Sequence, residues 1–172
     1  MLYTLSAEPI VDTYTDDEIE ESVDVGSFNH GYIQARLVIL LGKFEQYTPV
    51  SELSLEIDGV DLSKFALRNR EEIKPDIALY PRRGLSRPLD ILRMKEMPLL
   101  AVEILSPRQG TYDILEKFKV YFELGIKSCW LVDPAINTIA VYSSITQWQP
   151  FSTGDVIDVA MGIHIAINEI FA

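Results

Sequence analysis

Apolar residues recur at helical spacing in two parts of the chain. Over residues 29–46 they repeat every three or four positions, which predicts a helix with Asn29 as its N-cap. The same spacing over residues 111–124 predicts a second helix. Gly125 follows it, as expected of a residue that readily adopts the left-handed conformation at a helix end. His30 lies in the first turn of the first helix, where we expect it to cap the helix or pack; a contact with phosphate is the alternative.

The remaining apolar runs are short, as is typical of strands. Residues 50–57 alternate between polar and apolar side chains, which predicts a half-exposed strand followed by a turn at Asp58-Gly59. Residues 81–98 are basic and contain three prolines, which indicates a long connection with a helical turn at 90–94. Further strands are predicted at 75–80, 99–105, 128–132 and 138–142, with weaker ones towards the C-terminus.

The order of these elements predicts an α/β fold. A strand–helix–strand crossover over residues 99–132 makes two strands parallel, so the sheet is mixed and carries a helix on one face. The 172 residues suffice for one core, and we expect a single domain over 1–172. Its first 28 residues form an acidic extension, read as loop or one short helix.

Composition excludes several classes of protein. With 48% hydrophobic and 24% charged residues the chain has an ordinary globular composition. No apolar run approaches the roughly 18 residues that span a bilayer, and no signal peptide is recognisable, so we expect a cytoplasmic protein with no membrane partner. One cysteine, Cys129, excludes an internal disulfide and a cysteine-based zinc site, and we expect this thiol to be buried.

The charge is distributed unevenly. The net charge of −11 argues against a polyanionic partner, yet residues 64–127 hold 13 of the 15 Lys and Arg and 9 of the 26 Asp and Glu. This segment is therefore net positive and suits a phosphate substrate. A solvated surface without a partner explains the same distribution equally well.

Two carboxylates interrupt apolar, strand-like runs inside this basic segment. They are Asp76, after Lys74-Pro75, and Glu103, within a run that ends at Ser106-Pro107. Buried carboxylates are paired, hydrogen-bonded or metal-bound, because burial of an unpaired charge is costly. Two acids on neighbouring strands, with the backbone carbonyl of Ile104, would suit Mg²⁺ or Mn²⁺. The alternative is structural: Asp76 caps a turn and Glu103 pairs with a basic residue such as Lys117.

The same residues carry a family resemblance. Pro75-Asp76 followed by Glu103 resembles the signature of PD-(D/E)XK nucleases, and the longer pattern resembles the Uma2 (DUF820) family of restriction-endonuclease-like proteins, a group abundant in cyanobacteria. The resemblance covers roughly residues 29–171 and implies a restriction-endonuclease-like fold, a divalent metal cofactor and a nucleic-acid substrate. It rests on Lys74-Pro75-Asp76-Ile77, Val102-Glu103-Ile104-Leu105-Ser106-Pro107, Lys117-Phe118-Lys119-Val120-Tyr121, Gly125-Ile126 and Trp130-Leu131-Val132-Asp133-Pro134.

The chain departs from the nuclease signature at one position. The signature has lysine two residues after the Glu, and here that residue is Leu105. The resemblance implies that Lys117, on the following helix, replaces it, as in nucleases whose lysine has moved. An ordinary ion pair of Lys117 with Asp113 is the alternative. Gln109 and Tyr121 are candidate substrate contacts, and Glu45 or Glu52 could supply a further acid.

Together these features predict a metal-dependent endonuclease that hydrolyses phosphodiester bonds in DNA as a homodimer. Asp76, Glu103 and Lys117 would be catalytic, and the cation would be held by the two acids and the Ile104 carbonyl. A catalytically inactive binding or assembly protein with the nuclease fold is the main alternative. A hydrolase of another phosphate ester would share the same site.

Overall fold

The structure, a computed structural model, describes residues 27–57, 60–61, 64–65, 73–107 and 109–172. The predicted acidic loop or short helix before the first helix, and the predicted turn at Asp58-Gly59, fall outside these ranges. No helix in the described ranges is long and apolar enough to cross a membrane.

Three helices and ten strands make up the described fold. The helices are α1 (Phe28–Leu41), α2 (Thr111–Glu123) and α3 (Ile167–Phe171). The strands are β1 (Tyr47–Ser51), β2 (Ser54–Leu55), β3 (Ile77–Pro81), β4 (Arg93–Met94), β5 (Leu100–Ile104), β6 (Ser128–Asp133), β7 (Thr138–Ser144), β8 (Gln147–Phe151), β9 (Asp155–Asp158) and β10 (Ile163–Ala166).

Six strands form the central sheet, in the order β1-β3-β5-β6-β7-β8. Neighbouring strands run antiparallel except β5 and β6, which are parallel because α2 makes the crossover between them. The mixed α/β sheet predicted from the sequence is therefore confirmed. Two small sheets, β9–β10 and β2–β4, accompany it.

The sheet separates two hydrophobic layers. Alternate residues of a strand face opposite sides, so Leu100, Val102 and Ile104 lie in one layer and Ala101 in the other. The first layer is closed by α1, α3 and the β9–β10 hairpin, and the second by α2. Glu103 shares the parity of Ala101, so its side chain enters the layer beneath α2.

A buried aspartate joins the β9–β10 hairpin to the central sheet. The Oδ2 atom of Asp158 accepts hydrogen bonds from Ser128 Oγ at 2.6 Å and Trp130 Nε1 at 2.8 Å. Cys129, between these two β6 residues, is buried as predicted. The hairpin is thus part of the folded core.

The helix boundaries differ in part from those predicted. Ser27 is the N-cap of α1 in place of Asn29, since its hydroxyl accepts the backbone N–H of His30 at 3.3 Å. This helix ends at Leu41, short of residue 46, because Gly42 follows and the chain turns into β1. At the end of α2 the prediction is confirmed, since Gly125 has a left-handed φ of 87°.

One strand prediction and one helical-turn prediction are corrected. The strand expected over 50–57 is broken into β1 and β2, because Glu52 has a φ of 56°, a conformation outside the β region. The helical turn expected at 90–94 is absent, and Arg93–Met94 pairs with Ser54–Leu55 as parallel strands. This strand pairing ties the basic connection, residues 81–98, to β2.

Candidate active site

Asp76 lies immediately before β3, at the end of the sheet where β5 finishes. Because β3 and β5 are antiparallel, with Ile77 opposite Val102, the start of one strand meets the end of the other. The backbone N–H of Ile104 donates to Asp76 Oδ2 at 2.6 Å. The two acids predicted from the sequence therefore lie close together, one just before β3 and the other near the end of β5.

Glu103 is held from the helix that covers it. Its residue is 1% exposed, and its two oxygens have different donors: Lys117 Nζ to Oε2 at 2.7 Å and Tyr121 OH to Oε1 at 2.5 Å. Lys117 and Tyr121 are four residues apart, so they lie on the same face of α2. The structure thus brings Lys117 to Glu103, and the alternative pairing with Asp113 is not formed.

Burial dominates the electrostatics around Glu103. Burial raises the pKa of the Glu103 carboxyl above its ordinary value, although Lys117 favours the anion, and the negative charge of Asp76 raises that pKa further. Burial and the adjacent Glu103 also raise the pKa of the Tyr121 hydroxyl well above its usual range. Tyr121 therefore stays protonated and acts as a hydrogen-bond donor.

Two side chains of α1 contact Asp76 from the other side. His30 Nε2 lies 3.2 Å from Asp76 Oδ2, and Gln34 Nε2 donates to the Asp76 backbone carbonyl at 2.8 Å. The hydrogen bond with Asp76 raises the pKa of His30, against the opposing effect of its burial. His30 was expected to cap the helix or pack, and the structure adds a contact of its side chain with Asp76.

Glu52 also lies beside Asp76, next to Gln34. Its Oε1 accepts Gln34 Nε2 at 2.9 Å, its Oε2 lies 3.3 Å from Lys74 Nζ, and its backbone N–H donates to the Asp76 carbonyl at 3.3 Å. A non-glycine residue with positive φ is strained, and such residues cluster at functional sites. Glu52 is therefore fixed beside Asp76 by three separate contacts.

The donor atoms around Asp76 and Glu103 suit a hard divalent cation. Each Glu103 oxygen accepts one hydrogen bond and keeps a second lone pair. The N–H of Ile104 points towards Asp76 and β3. Because the N–H and C=O groups of one residue in a strand point to the same side, we infer that the Ile104 carbonyl also lies on the Asp76 side of β5. Carboxylate and carbonyl oxygens are the ligands that Mg²⁺ prefers.

A cation bound by Asp76 and Glu103 would need further ligands besides these two acids. Within the described ranges, no three His, Cys, Asp or Glu side chains come together as a metal-binding group. Mg²⁺ typically takes one or two carboxylates and fills its other positions with water and substrate phosphate. Two carboxylates and a carbonyl are ligands of the kind and number that such a site takes from a protein.

Other residues singled out in the sequence lie outside this network of contacts. The backbone N–H of Gln109 donates to the Ser106 carbonyl at 3.1 Å, and its partly exposed side chain makes no hydrogen bond to the described residues. Lys119 is on the outer side of α2, where it pairs with Glu116.

His30 and Gln34 were not assigned to the site from the sequence, and Glu52 was considered only as a possible further acid. One signal was available, since His30 and Gln34 are four residues apart and interrupt the apolar repeat of α1 on one face. The approach of that face to Asp76 depends on how α1 packs on the sheet, which the sequence pattern does not specify.

The six-stranded mixed sheet flanked by helices is a restriction-endonuclease-like α/β fold. The model of the Uma2 family, described as putative restriction endonuclease, matches residues 8–168. The chain therefore belongs to the Uma2 family.

A solved structure supports the fold. The crystal structure of a putative nuclease belonging to DUF820 from Anabaena variabilis ATCC 29413 superposes with a TM-score of 0.65 and 22% sequence identity. The match covers 84% of this chain and 81% of that chain, and it shows a shared fold. Among curated proteins, none matches the sequence.

Proposed function

We propose that this protein is a metal-dependent endonuclease that hydrolyses phosphodiester bonds in DNA. One observation carries the proposal: Lys117 donates to Glu103, and the next residue, Ile104, donates to Asp76. The three residue types of the nuclease signature thus lie close together, although Leu105 occupies the usual lysine position. Membership of a family of restriction-endonuclease-like proteins supports the same reaction class. The basic segment 64–127 supports a polyanionic substrate.

Asp76 and Glu103, with the Ile104 carbonyl, would hold Mg²⁺ or Mn²⁺. When bound, such a cation lowers the pKa of water and neutralises charge on the phosphate. The protein's own contribution is to fix the acids: Ile104 orients Asp76 through its N–H, and Tyr121 and Lys117 orient Glu103. Positioning of this kind lowers the barrier because no reorganisation is needed during the reaction.

Lys117 is the proposed catalytic cation. An ammonium group has three N–H donors, and one of them is used by Glu103. The others can orient the attacking water or stabilise charge that develops on the phosphate. We assign Tyr121 a positioning role and not a substrate contact, because its side chain is fully buried and its hydroxyl donates to Glu103. Gln109 stays a predicted phosphate contact at the turn before α2.

A second function, a catalytically inactive binding or assembly protein, is favoured by the same pair of residues. Lys117 and Glu103 are both buried, and this ion pair is also what a purely structural role predicts. Buried ion pairs of this kind occur in proteins without catalytic activity. The nuclease proposal differs in requiring Asp76, whose side chain is 16% exposed and lies within reach of solvent.

Cleavage of supercoiled plasmid in Mg²⁺ or Mn²⁺ tests the proposal. We expect the wild-type protein to cut the plasmid, and Asp76→Asn and Glu103→Gln to abolish cutting. Asp113→Asn is the matched control, since Asp113 is an exposed acid on α2 outside the network, and it should cut normally. Cutting that survives both site substitutions would contradict the proposal. A folded wild-type protein that binds the plasmid without cutting it would support the inactive alternative.

A further inference from the structure

The two carboxylate oxygens of Asp76 have different surroundings. Oδ2 receives the Ile104 N–H at 2.6 Å and lies 3.2 Å from His30 Nε2. Oδ1 takes part in no hydrogen bond or ion pair with the described residues. One oxygen is therefore anchored by two donors, while the other has no donor among the described residues and offers both lone pairs to a ligand.

The His30 side chain is itself held in place. His30 lies in the first turn of α1, and its backbone N–H donates a hydrogen bond to Ser27 Oγ. The buried residues Ile33 and Leu37 hold this helix against the sheet. One turn further on, Gln34 contacts the backbone carbonyl of Asp76. The helix therefore contacts Asp76 at both its side chain and its main chain.

We propose that His30 is a positioning residue that anchors Asp76 through Oδ2 and so presents Oδ1 to the divalent cation. The inference rests on the proposed function, because it assumes that a cation binds at Asp76. Partners of a ligating carboxylate fix its orientation, and their loss typically costs about 10- to 100-fold in metal affinity. Histidine makes this contact with Nε2, its outer ring nitrogen, so the position of the donor atom matters as well as its presence.

Amide side chains of different length test that geometry. The amide nitrogen of glutamine can take the place of histidine Nε2, whereas asparagine is shorter and reaches only as far as Nδ1. We therefore expect His30→Gln to retain the contact with Asp76 and His30→Asn to lose it. Both substitutions replace the ring with an uncharged amide, so we expect them to affect folding stability to a similar extent.

Calorimetric titration with Mn²⁺ is the experiment. We expect Mn²⁺ affinity to fall about 10- to 100-fold in His30→Ala and His30→Asn, and to stay within about threefold of wild type in His30→Gln. His164→Ala is the control, since His164 is the other histidine of the sequence and is exposed. This variant should bind Mn²⁺ like wild type. Circular dichroism on each variant shows that it is folded.

The outcomes separate this inference from the proposed function. If Asp76→Asn abolishes Mn²⁺ binding but His30→Ala and His30→Asn bind like wild type, the positioning role is overturned and the metal site stands. Equal losses in His30→Gln and His30→Asn would also overturn it, since the location of the donor would then not matter. If the wild-type protein binds no Mn²⁺, or binds it independently of Asp76, both proposals fall.

Discussion

Lys117 and Glu103 form a buried ion pair, with Lys117 Nζ 2.7 Å from Glu103 Oε2. The pair joins α2 to β5, the strand that precedes it in the crossover. Tyr121, one helical turn beyond Lys117, donates to the other oxygen of the same carboxylate. A single face of α2 thus determines the orientation of Glu103, and this arrangement has consequences for stability as well as for chemistry.

Removing the Tyr121 hydroxyl should destabilise the protein. Tyr121→Phe deletes a hydrogen bond to a buried carboxylate, and such bonds contribute about 1.5–3 kcal/mol. We expect the free energy of unfolding, measured by urea denaturation, to fall by that amount. Tyr142→Phe is the control, because Tyr142 is also buried but its hydroxyl has no hydrogen bond to the described residues. Equal losses in the two variants would show that the contact with Glu103 contributes nothing.

Glu52 offers a test of backbone strain beside the site. Its φ of 56° is easily adopted by glycine and costs other residues about 1–2 kcal/mol. Both Glu52→Gly and Glu52→Ala lose the contacts with Gln34 and Lys74, so their difference isolates the backbone. We expect Glu52→Gly to be more stable than Glu52→Ala by about 1 kcal/mol in thermal unfolding. Greater stability of the alanine variant would contradict the left-handed conformation.

The hydroxyl of Tyr80 is buried and has no hydrogen-bond partner among the described residues. A buried polar group without a partner is destabilising. We therefore expect Tyr80→Phe to be as stable as wild type at pH 7, or more stable by up to about 1 kcal/mol. Urea denaturation measures this difference, and a marked loss of stability would reveal a partner for the hydroxyl.

The same residue predicts a response to alkaline pH. Burial raises the pKa of Tyr80 to about 12, above its ordinary value of 10.0. A raised pKa means that the folded protein holds this proton more tightly than the unfolded chain, so stability falls as pH rises from about 10 towards 12. Tyr80→Phe should lose less stability than wild type over this interval. Parallel losses in the two proteins would contradict the shifted pKa.

Short-range patterns predicted the centre of the site. Asp76 and Glu103 stood out because they interrupt strand-like runs, and helical spacing placed Lys117 and Tyr121 on one face.

The contacts of His30, Gln34 and Glu52 depend on how α1 and the break after β1 pack against the sheet, and local spacing carries no signal for that packing. The positive φ of Glu52 was equally hidden, since neither glycine nor asparagine marks it. The homodimer and the DNA substrate stay predictions.

Lys117 is proposed to supply the catalytic cation that Leu105 cannot provide at the usual lysine position. The most direct test is the rate of Mg²⁺-dependent DNA cleavage by Lys117→Met, compared with Lys119→Met, whose lysine lies two residues away on α2 and pairs with Glu116. Thermal unfolding of the same preparations shows that both variants are folded. We expect the cleavage rate to fall at least about 100-fold in Lys117→Met and to stay near that of wild type in Lys119→Met. Cleavage by folded Lys117→Met at the wild-type rate would contradict the proposal.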